Sequence, residues 1–387
     1  SIKEDLPMKA LILTMTCGEG HNSIARTISG FLTEKGVESE IMDIYRGHKF
    51  SGALNNKAYL FFCRHFPKLY EKLWLKVKYA DADKRRYKNS FQATIKCCLK
   101  DVEKEIAEFK PDFIICTHCN AGAVVDRLRR ENRIDRNITL YSFLTDFYPH
   151  PNWEDSVCVD YVFLSHICAK QQMLDKGFRE EQLVETGFPV NPAYYAEIDK
   201  RQLRLEQGFA PDMFTVLISS GGFGIGRNEK VLKRLAACKL PLQIIIANSR
   251  NRKSLKKCGR VIKKYKMNNV HNFGFVKDIV SVISSADLSV SRGGCSFLCE
   301  TLTRQIPTIA REDIIINESE NVDFLRARGC CARLKSIDEV TSIVDGLNGD
   351  RVKFDKMRAA CEGIIKPNAV ENMYRFIMAN EQKKVEK

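Results

Sequence analysis

SRGGCSFLCE, residues 291–300, is the stretch from which the fold can be worked out. An alternating apolar run that ends at Val290 predicts a β-strand, and a helical pattern begins at Cys295, so the two glycines form a tight turn between them. The first turn of a helix carries unpaired N–H groups and the positive end of the helix dipole, which favour an anion. The stretch therefore predicts a phosphate-sized turn, with Glu300 near enough to reach a sugar hydroxyl.

Length and composition describe a folded chain with two domains. The sequence has 387 residues, of which 44% are hydrophobic and 28% charged. It contains no run of about 20 apolar residues, and Met8 follows a polar leader, so we expect neither secretion nor a spanning helix. The 15 cysteines include a CxxC at Cys116 and Cys119 without a second pair, which predicts buried reduced thiols in a cytoplasmic protein and no metal site.

Positive charge is unevenly spread along the chain. The net charge is +14, and the segment Lys57–Lys100 contains 12 Lys or Arg residues against 3 acidic ones. This excess favours an anionic partner, which can be membrane headgroups, nucleic acid or a nucleotide. Within the segment, apolar residues recur at helical spacing between lysines: Leu69, Tyr70, Leu73, Trp74 and Val77. Such a helix can lie on an anionic bilayer, or it can pack on the sheet and expose its lysines to water.

Short apolar runs alternate with helical patterns along most of the chain. The first series of predicted strands is Lys9–Thr16, Val37–Ile44, Phe113–Thr117, Thr139–Thr145 and Tyr161–Ser165. The second series is Phe214–Ser219, Leu242–Ala247, Val270–Phe275, Leu288–Ser291 and Thr308–Ala310, with a mostly helical remainder after Glu318. Asn22 is expected to cap the first helix. Strands that alternate with helices predict parallel sheets with right-handed crossovers.

The predicted fold class is α/β, with two doubly wound, Rossmann-like domains that face each other across a cleft. The proline-punctuated stretch near residue 190 is the predicted linker. Residues 8–190 then form an N-terminal domain, and residues 191–366 form a C-terminal domain. Residues 367–387 form a last helix that we expect to pack back on the N-terminal domain.

Two glycine-rich turns follow strands of the second domain, Gly221 to Gly226 and Gly293-Gly294. The first lacks the Gly-Lys-Ser/Thr of a Walker A loop, and its glycines miss the dinucleotide G-x-G-x-x-G spacing. Together the two turns suit a diphosphate that backbone N–H groups hold without a dedicated metal cage.

Two polar residues stand out in the first domain. His21 follows Gly18-x-Gly20 at the start of a helix, where the dipole keeps an imidazole neutral and attracts an anion. Asp146 follows the fourth strand, where a carboxylate can act as general base on an acceptor hydroxyl. The alternatives are a surface histidine at a helix cap and an aspartate that caps a loop or pairs with an arginine.

These motifs, taken in order, resemble glycosyltransferase family 28 of the GT-B fold, and within it the monogalactosyldiacylglycerol synthases and the processive diacylglycerol glucosyltransferases. The resemblance covers roughly Lys9 to Lys366. It rests on Thr16–His21, Tyr59–Tyr79, Pro111–Asp112, Thr117–His118, Thr145–Trp153, Gly187–Pro189, Gly221-Gly222, Gly274–Val276, Ser291–Glu300 and Glu318–Asn321.

The resemblance implies a UDP-sugar donor on the second domain and a lipid acceptor on the first. By analogy, Gly221, Gly222 and Gly224 border the donor phosphates, and Phe275 and Val276 line the uracil pocket. The residues that hold the diphosphate are Arg292, Gly293, Gly294, Cys295 and Ser296. Glu300 binds the ribose hydroxyls, Asn317 meets the donor sugar, and Glu318 and Asn321 belong to the same donor site.

The same resemblance implies a reaction. Asp146 is the base, and His21 contacts the acceptor or an anionic lipid. The hexose passes to a diacylglycerol-type lipid with inversion to a β-glycoside, without metal or cofactor, at the inner face of the cell membrane. The Lys57–Lys100 segment then meets anionic lipid, and no nucleic acid is expected.

The sequence departs from the family at two places. Ser291-Arg292 stands where the family usually has Lys-Pro, and Asn317 stands where it has a glutamine that is expected to touch the donor sugar. Glucose, galactose and N-acetylglucosamine therefore all remain as donors. The alternatives are a UDP-sugar-dependent transferase with another acceptor, similar to the N-acetylglucosaminyl transferases, a UDP-sugar epimerase, and a basic protein that binds nucleotides or nucleic acid without catalysis.

Overall fold

A computed structural model describes residues 7–16, 19–48, 61, 66–78, 92–221, 226–311 and 316–385. The chain divides into two compact units. The first unit comprises Ser1–Pro189 and Lys366–Lys387, and the second comprises Val190–Ile365. Each unit is built around its own parallel sheet of six strands.

The sheet of the first unit has the order β2-β1-β3-β4-β5-β6, and every pairing is parallel. Its strands are β1 (Lys9–Thr14), β2 (Glu38–Asp43), β3 (Phe113–Cys116), β4 (Thr139–Leu144), β5 (Tyr161–Leu164) and β6 (Leu183–Glu185). Its helices are α1 (Glu19–Glu34), α2 (Pro67–Lys78), α3 (Gln92–Phe109), α4 (Cys119–Arg130), α5 (Lys170–Asp175) and, after the second unit, α14 (Ala369–Val385).

The last helix packs on the first unit through a buried polar cluster. Glu381 is 7% exposed and accepts hydrogen bonds from the hydroxyls of Thr139 and Tyr141, both on β4. The ring of Phe376 lies edge-on to that of Tyr161, with centroids 4.9 Å apart. Detaching the helix from the sheet would break both hydrogen bonds of the buried Glu381 carboxylate, and water would have to replace them. These contacts hold the end of the chain on the sheet of the first unit.

The sheet of the second unit has the order β12-β11-β10-β7-β8-β9 and is also parallel. Its strands are β7 (Thr215–Ser219), β8 (Gln243–Ala247), β9 (Val270–Phe273), β10 (Leu288–Ser291), β11 (Thr308–Ala310) and β12 (Cys331–Arg333). Its helices are α6 (Lys200–Glu206), α7 (Asn228–Leu235), α8 (Arg252–Tyr265), α9 (Ile279–Ser284), α10 (Cys295–Thr303), α11 (Ile316–Ala327), α12 (Glu339–Gly349) and α13 (Arg351–Ala359).

The predicted α/β fold class, with two doubly wound domains, is confirmed. The continuous apolar runs are strands buried on both faces, as parallel sheets require. Two short edge strands, β6 and β12, have no counterpart in the sequence prediction. The prediction that Asn22 caps α1 is wrong, because the helix already begins at Glu19 and the Asn22 amide bonds the hydroxyls of Thr14 and Thr16.

Candidate active site

The turn after β10 ends at a helix whose N-cap is a glycine. Gly294 is the N-cap of α10, with φ −62° and ψ 129°, and has no side chain with which to cap the first N–H groups of the helix. Gly293 precedes it at φ +108°, a backbone conformation that L side chains rarely adopt. A Cβ on Gly293 would lie 2.4 Å from Cγ2 of Val322, so α11 closes against this turn. A glycine turn before the N-terminus of a helix is the geometry of many anion sites.

Arg292 forms an ion pair with a residue 26 positions further along the chain. Its Nη2 is 2.8 Å from Oε1 of Glu318, and both side chains are largely buried, at 12% and 14% exposed. Glu318 lies in the first turn of α11, where the helix dipole also favours its negative charge. Because this pair is neutral overall, the attraction for an anion at the turn comes mainly from the backbone N–H groups.

A chain of buried polar side chains connects the carboxyl ends of four strands. Nη1 of Arg311, after β11, donates to Oδ1 of Asn228 at 3.2 Å, and the hydroxyl of Ser220 donates to the same oxygen. Nδ2 of Asn228 donates to Oδ1 of Asn248 at 3.2 Å, and Asn248 donates to Oδ1 of Asn272 at 2.8 Å. Arg311, Asn228 and Asn248 are each at most 1% exposed. This network stiffens the edge at which the glycine turns lie.

Arg311 also lies against the first glycine turn. Gly226 has φ +139°, and a Cβ on it would lie 2.7 Å from Nη1 of Arg311. Gly221, at the other end of the turn, has φ +67°, while Gly222 and Gly224 lie outside the described residues. The sequence prediction omitted Arg311. Its position directly after an apolar strand, at the binding edge of a parallel sheet, was a usable signal.

Glu300 lies on α10, one helical turn and a half beyond the glycines, beside the buried Tyr194. Burial raises the pKa of the Glu300 carboxyl to about 7, and the Tyr194 hydroxyl partly opposes this shift. The carboxyl group is therefore about half ionised near neutral pH.

The other predicted donor-site residues of the second unit lie either after β9 or near the beginnings of α10 and α11. Phe275 is 61% exposed, with the guanidinium of Arg250 5.1 Å from its ring centroid, and Val276 is half-buried. The Cys295 thiol is buried, with its Sγ 3.8 Å from Sγ of Cys299. The others are the half-buried Ser296, Asn317 in the first turn of α11, and the buried Asn321.

In the first unit, His21 is held by a backbone carbonyl at the end of β3. Its Nδ1 is 2.7 Å from the oxygen of Thr117. Since a carbonyl only accepts, Nδ1 carries the proton and Nε2 is the acceptor. Burial lowers the pKa of His21, while the Thr117 bond opposes the shift. His21 is therefore a neutral imidazole at neutral pH.

Two further histidines gather at the same sheet edge. His118 caps α4, with Nδ1 accepting from the N–H of Asn120 at 3.0 Å, and its ring centroid lies 4.6 Å from that of His21. His150 caps the 3-10 helix Pro151–Ser156 in the same way. Burial, and then His21 and His150, hold the pKa of His118 well below its usual value, and burial lowers the pKa of His150 to about 3. Both rings keep their proton on Nε2.

Asp146 follows β4 by two residues and is half-buried. Because Cys116 of β3 pairs with Ser142 of β4, the segments after both strands emerge at one edge of the sheet. The structure therefore places Asp146, His118 and His21 at the same edge. Among the described residues, no group of three or more His, Cys, Asp or Glu side chains is arranged to hold a metal ion.

Comparisons with known proteins agree with this architecture. Residues 21–190 match the family model of monogalactosyldiacylglycerol (MGDG) synthase, and residues 216–328 match that of the glycosyltransferase family 28 C-terminal domain. The processive diacylglycerol beta-glucosyltransferase of Bacillus cereus (strain B4264) is 26% identical over 384 residues, covering 96% of this chain and 93% of that protein. The chain belongs to glycosyltransferase family 28.

Solved structures support the fold of this family 28 chain. MurG of Acinetobacter baumannii has a TM-score of 0.64 at 14% identity, covering 96% of this chain and 99% of that one. Anabaena Alr3699/HepE, solved with UDP-glucose, has a TM-score of 0.56 at 14% identity, covering 98% and 99%. The two parallel sheets with their helices are the GT-B fold, and the family 28 protein is a hexosyltransferase.

Proposed function

We propose that this family 28 enzyme transfers a hexose from a UDP-sugar to a diacylglycerol-type lipid and inverts the anomeric configuration to a β-glycolipid. The observation that carries the proposal is the turn Gly293-Gly294, which places a glycine at the N-cap of α10, the helix that also carries Glu300, in the unit that contains Phe275. The names of its relatives support a lipid acceptor, since they describe diacylglycerol glucosyl transfer and MGDG synthesis. The UDP-glucose in the HepE structure supports the donor.

The donor site follows from these groups. The N–H groups of α10 and of the two glycine turns bind the diphosphate, Glu300 accepts from ribose hydroxyls, and Phe275 stacks on uracil. When the bond between the anomeric carbon and the diphosphate oxygen breaks, negative charge grows on UDP. Preorganised N–H donors and the helix dipole stabilise that charge more strongly than they stabilise the bound substrate. The proposal needs no metal for this step.

The acceptor step requires a base. Asp146 takes the proton of the lipid hydroxyl while the hydroxyl oxygen attacks the anomeric carbon of the sugar. The attack comes on the face opposite the departing UDP, so an α-linked donor becomes a β-glycoside. His21 assists by accepting a hydrogen bond at Nε2 from the acceptor, because its Nδ1 is committed to Thr117. A neutral ring at this position serves as an acceptor, whereas an imidazolium would not.

Membrane contact is proposed for the segment around α2. No described helix is long and apolar enough to cross a bilayer. On the surface, Phe61, Phe66 and Leu69 are 52%, 47% and 47% exposed, and Lys72 and Lys76 on α2 are exposed too. Apolar side chains among lysines fit an anionic interface. The rest of Lys57–Lys100 lies largely outside the described residues. We place the enzyme peripherally at the inner face of the cell membrane.

Replacing Arg311 with methionine should weaken UDP binding by at least about tenfold. The change removes the donor to Asn228 and the group that packs against Gly226, and a lost charged hydrogen bond costs about 1.5–3 kcal/mol. Titration calorimetry with UDP measures the effect, together with the melting temperature.

Arg204→Met is the matched control, because Arg204 is also a buried arginine of the second unit and pairs with Asp287, just before the start of β10. We expect this control to lower the melting temperature and to leave UDP affinity unchanged in the folded protein. If Arg311→Met and the wild type bind UDP with equal affinity, Arg311 does not contribute to the donor site.

The affinity for a UDP-sugar should rise by about tenfold between pH 6 and pH 8. The pKa of Glu300 is about 7 in the free enzyme, and only the ionised carboxylate accepts two hydrogen bonds from the ribose, so protonation below pH 7 competes with binding. A UDP-hexose is the right ligand, because its diphosphate has no free terminal phosphate to titrate in this range.

Glu300→Gln keeps the side-chain volume and removes the titration. We expect this variant to bind UDP-glucose more weakly than wild type at pH 8 and with an affinity that does not vary between pH 6 and pH 8. A glutamine variant with the same rise in affinity as wild type would show that another group titrates.

The experiment that tests the proposed function is a panel of UDP-glucose, UDP-galactose and UDP-N-acetylglucosamine, with UDP release followed in the presence and absence of diacylglycerol in anionic liposomes. We expect one UDP-hexose to give release that depends on diacylglycerol. Release with none of the three would contradict the proposal. Conversion of the UDP-sugar itself without any acceptor would indicate an epimerase instead.

A further inference from the structure

The second unit contains a positively charged segment around α8. Residues 227–277 include 15 Lys or Arg residues and a single acidic residue, Glu229. Their excess of 14 positive charges equals the net charge of the whole chain, +14. The remaining residues, Lys57–Lys100 among them, are therefore neutral in sum.

The structure places most of these charges on one side of one helix. The α8 cationic face, as we call it, consists of Arg252, Lys253, Lys256, Lys257, Arg260, Lys263 and Lys264, all exposed. At about 100° per residue, these seven positions fall within an arc of about 140° along a helix roughly 20 Å long. On the other side of α8, Ser254 and Cys258 are 3% and 0% exposed. The apolar side is thus packed inside the unit, and only the charged side faces solvent.

The α8 cationic face is scarcely neutralised by the protein. Among the described residues, Lys257 is its one member in an ion pair, with Oε1 of Glu229 3.4 Å from its Nζ. The neighbouring helix α7 packs on α8 and adds Lys230 and Lys233, both exposed. Like charges this close repel one another and destabilise the folded unit unless an anion lies nearby.

We propose that the α8 cationic face binds the surface of an anionic phospholipid bilayer. The choice of a lipid partner rests on the proposed function, since an enzyme with a lipid acceptor works at a bilayer. A row of headgroup phosphates supplies negative charge over the whole length of the helix, which a single small anion does not. This surface belongs to the second unit and is separate from the residues around α2.

The chemistry of the face favours a bilayer over nucleic acid. Five of its seven cations are lysines, which act as point charges and bind phosphate without the planar, bidentate geometry of arginine. Proteins that bind single strands add aromatic platforms for base stacking, whereas α8 itself carries one aromatic residue, Tyr265, at its end and 40% exposed. A tyrosine at this position suits the headgroup layer. Because the apolar side is packed away, binding is electrostatic and should weaken steeply with salt.

The test compares two variants that each lose three lysines and one arginine from the second unit. K253Q/K256Q/R260Q/K263Q alters the α8 cationic face, and K335Q/K353Q/K356Q/R358Q alters exposed residues elsewhere in the unit. Co-sedimentation with vesicles of phosphatidylcholine, with and without phosphatidylglycerol, is measured at low and at physiological ionic strength. Each cation near an anionic surface changes partitioning by about fivefold. We expect the α8 variant to bind phosphatidylglycerol vesicles at least about tenfold more weakly, and the control variant to bind like wild type.

Calorimetry with UDP shows whether each variant keeps its folded donor site. No UDP-sugar or diacylglycerol is present during sedimentation, so the result is independent of whether the protein transfers a hexose to lipid. Vesicle binding by the α8 variant that equals wild type would overturn the proposal, as would an equal loss in both variants. Tighter binding of the wild type to duplex or single-stranded nucleic acid than to the anionic vesicles, lost in the α8 variant, would assign the face to nucleic acid instead.

Discussion

Replacing Asp146 with asparagine should lower the rate of hexose transfer by about 10²–10⁴-fold, the usual contribution of a general base. Asparagine has the same size but cannot take a proton from the acceptor hydroxyl. The affinity for UDP should stay unchanged, because the proposed UDP site lies in the second unit and Asp146 lies in the first. Steady-state rates at saturating donor, with calorimetry of UDP binding, separate the two effects.

Asp135→Asn is the control for this change. Asp135 lies before β4, whereas Asp146 follows it, so the two residues lie at opposite edges of the same sheet. Its Oδ1 accepts from the N–H of Asn137 at 2.9 Å, a bond that asparagine can keep. This variant should transfer at the wild-type rate. An Asp146→Asn enzyme that retains a tenth or more of its activity would show that another group is the base.

Replacing Gly293 with alanine should weaken UDP binding at least about tenfold and lower the free energy of unfolding by about 1–3 kcal/mol. The native φ of +108° is unfavourable for alanine, and the new Cβ would lie 2.4 Å from Cγ2 of Val322. Relief of both conflicts turns the peptide groups before α10 away from the position of the diphosphate. Calorimetry with UDP and thermal unfolding measure the two losses.

Gly294→Ala provides the comparison one residue away. At φ −62° alanine is unstrained, and its Cβ would meet Oε1 of Glu318 at 3.4 Å, an ordinary contact. We expect its UDP affinity to stay within about threefold of wild type, since no backbone rearrangement is needed. The double variant Gly293→Ala with Val322→Ala removes the clash and leaves the strained φ. If Gly293→Ala and Gly294→Ala bind UDP equally, the shape of this turn does not matter for the donor.

Much of the fold could be predicted from the sequence because most strands are buried on both faces. FIIC in β3 and TLYSFL in β4 are read as apolar runs, and every one of these residues is buried in the structure. By contrast, β6 is LVE and β12 is CAR, three residues each and partly exposed at sheet edges. A strand of that length leaves no periodicity to detect. Only its pairing with a neighbour defines it.

The candidate site was partly predictable for a similar reason. The Gly293-Gly294 turn is a local pattern, visible as a strand, two glycines and a helix. The Arg292–Glu318 pair and the Arg311–Asn228 bond join residues 26 and 83 positions apart, so only the folded chain reveals them. The neutral state of His21 was expected from the helix dipole, whereas the structure adds burial as a cause and shows that the Thr117 carbonyl, which opposes the pKa shift, fixes the proton on Nδ1. The charge on α8 was countable in the sequence, but its confinement to one exposed side required the helix.

The most direct test of the central claim is to incubate the protein with a radiolabelled UDP-hexose and diacylglycerol in anionic liposomes, extract the lipids and determine the anomeric configuration of the product. The account predicts a labelled hexosyl-diacylglycerol with a β linkage for at least one of glucose, galactose and N-acetylglucosamine. Absence of labelled lipid with all three donors would contradict transfer to this acceptor, and an α-linked product would contradict inversion.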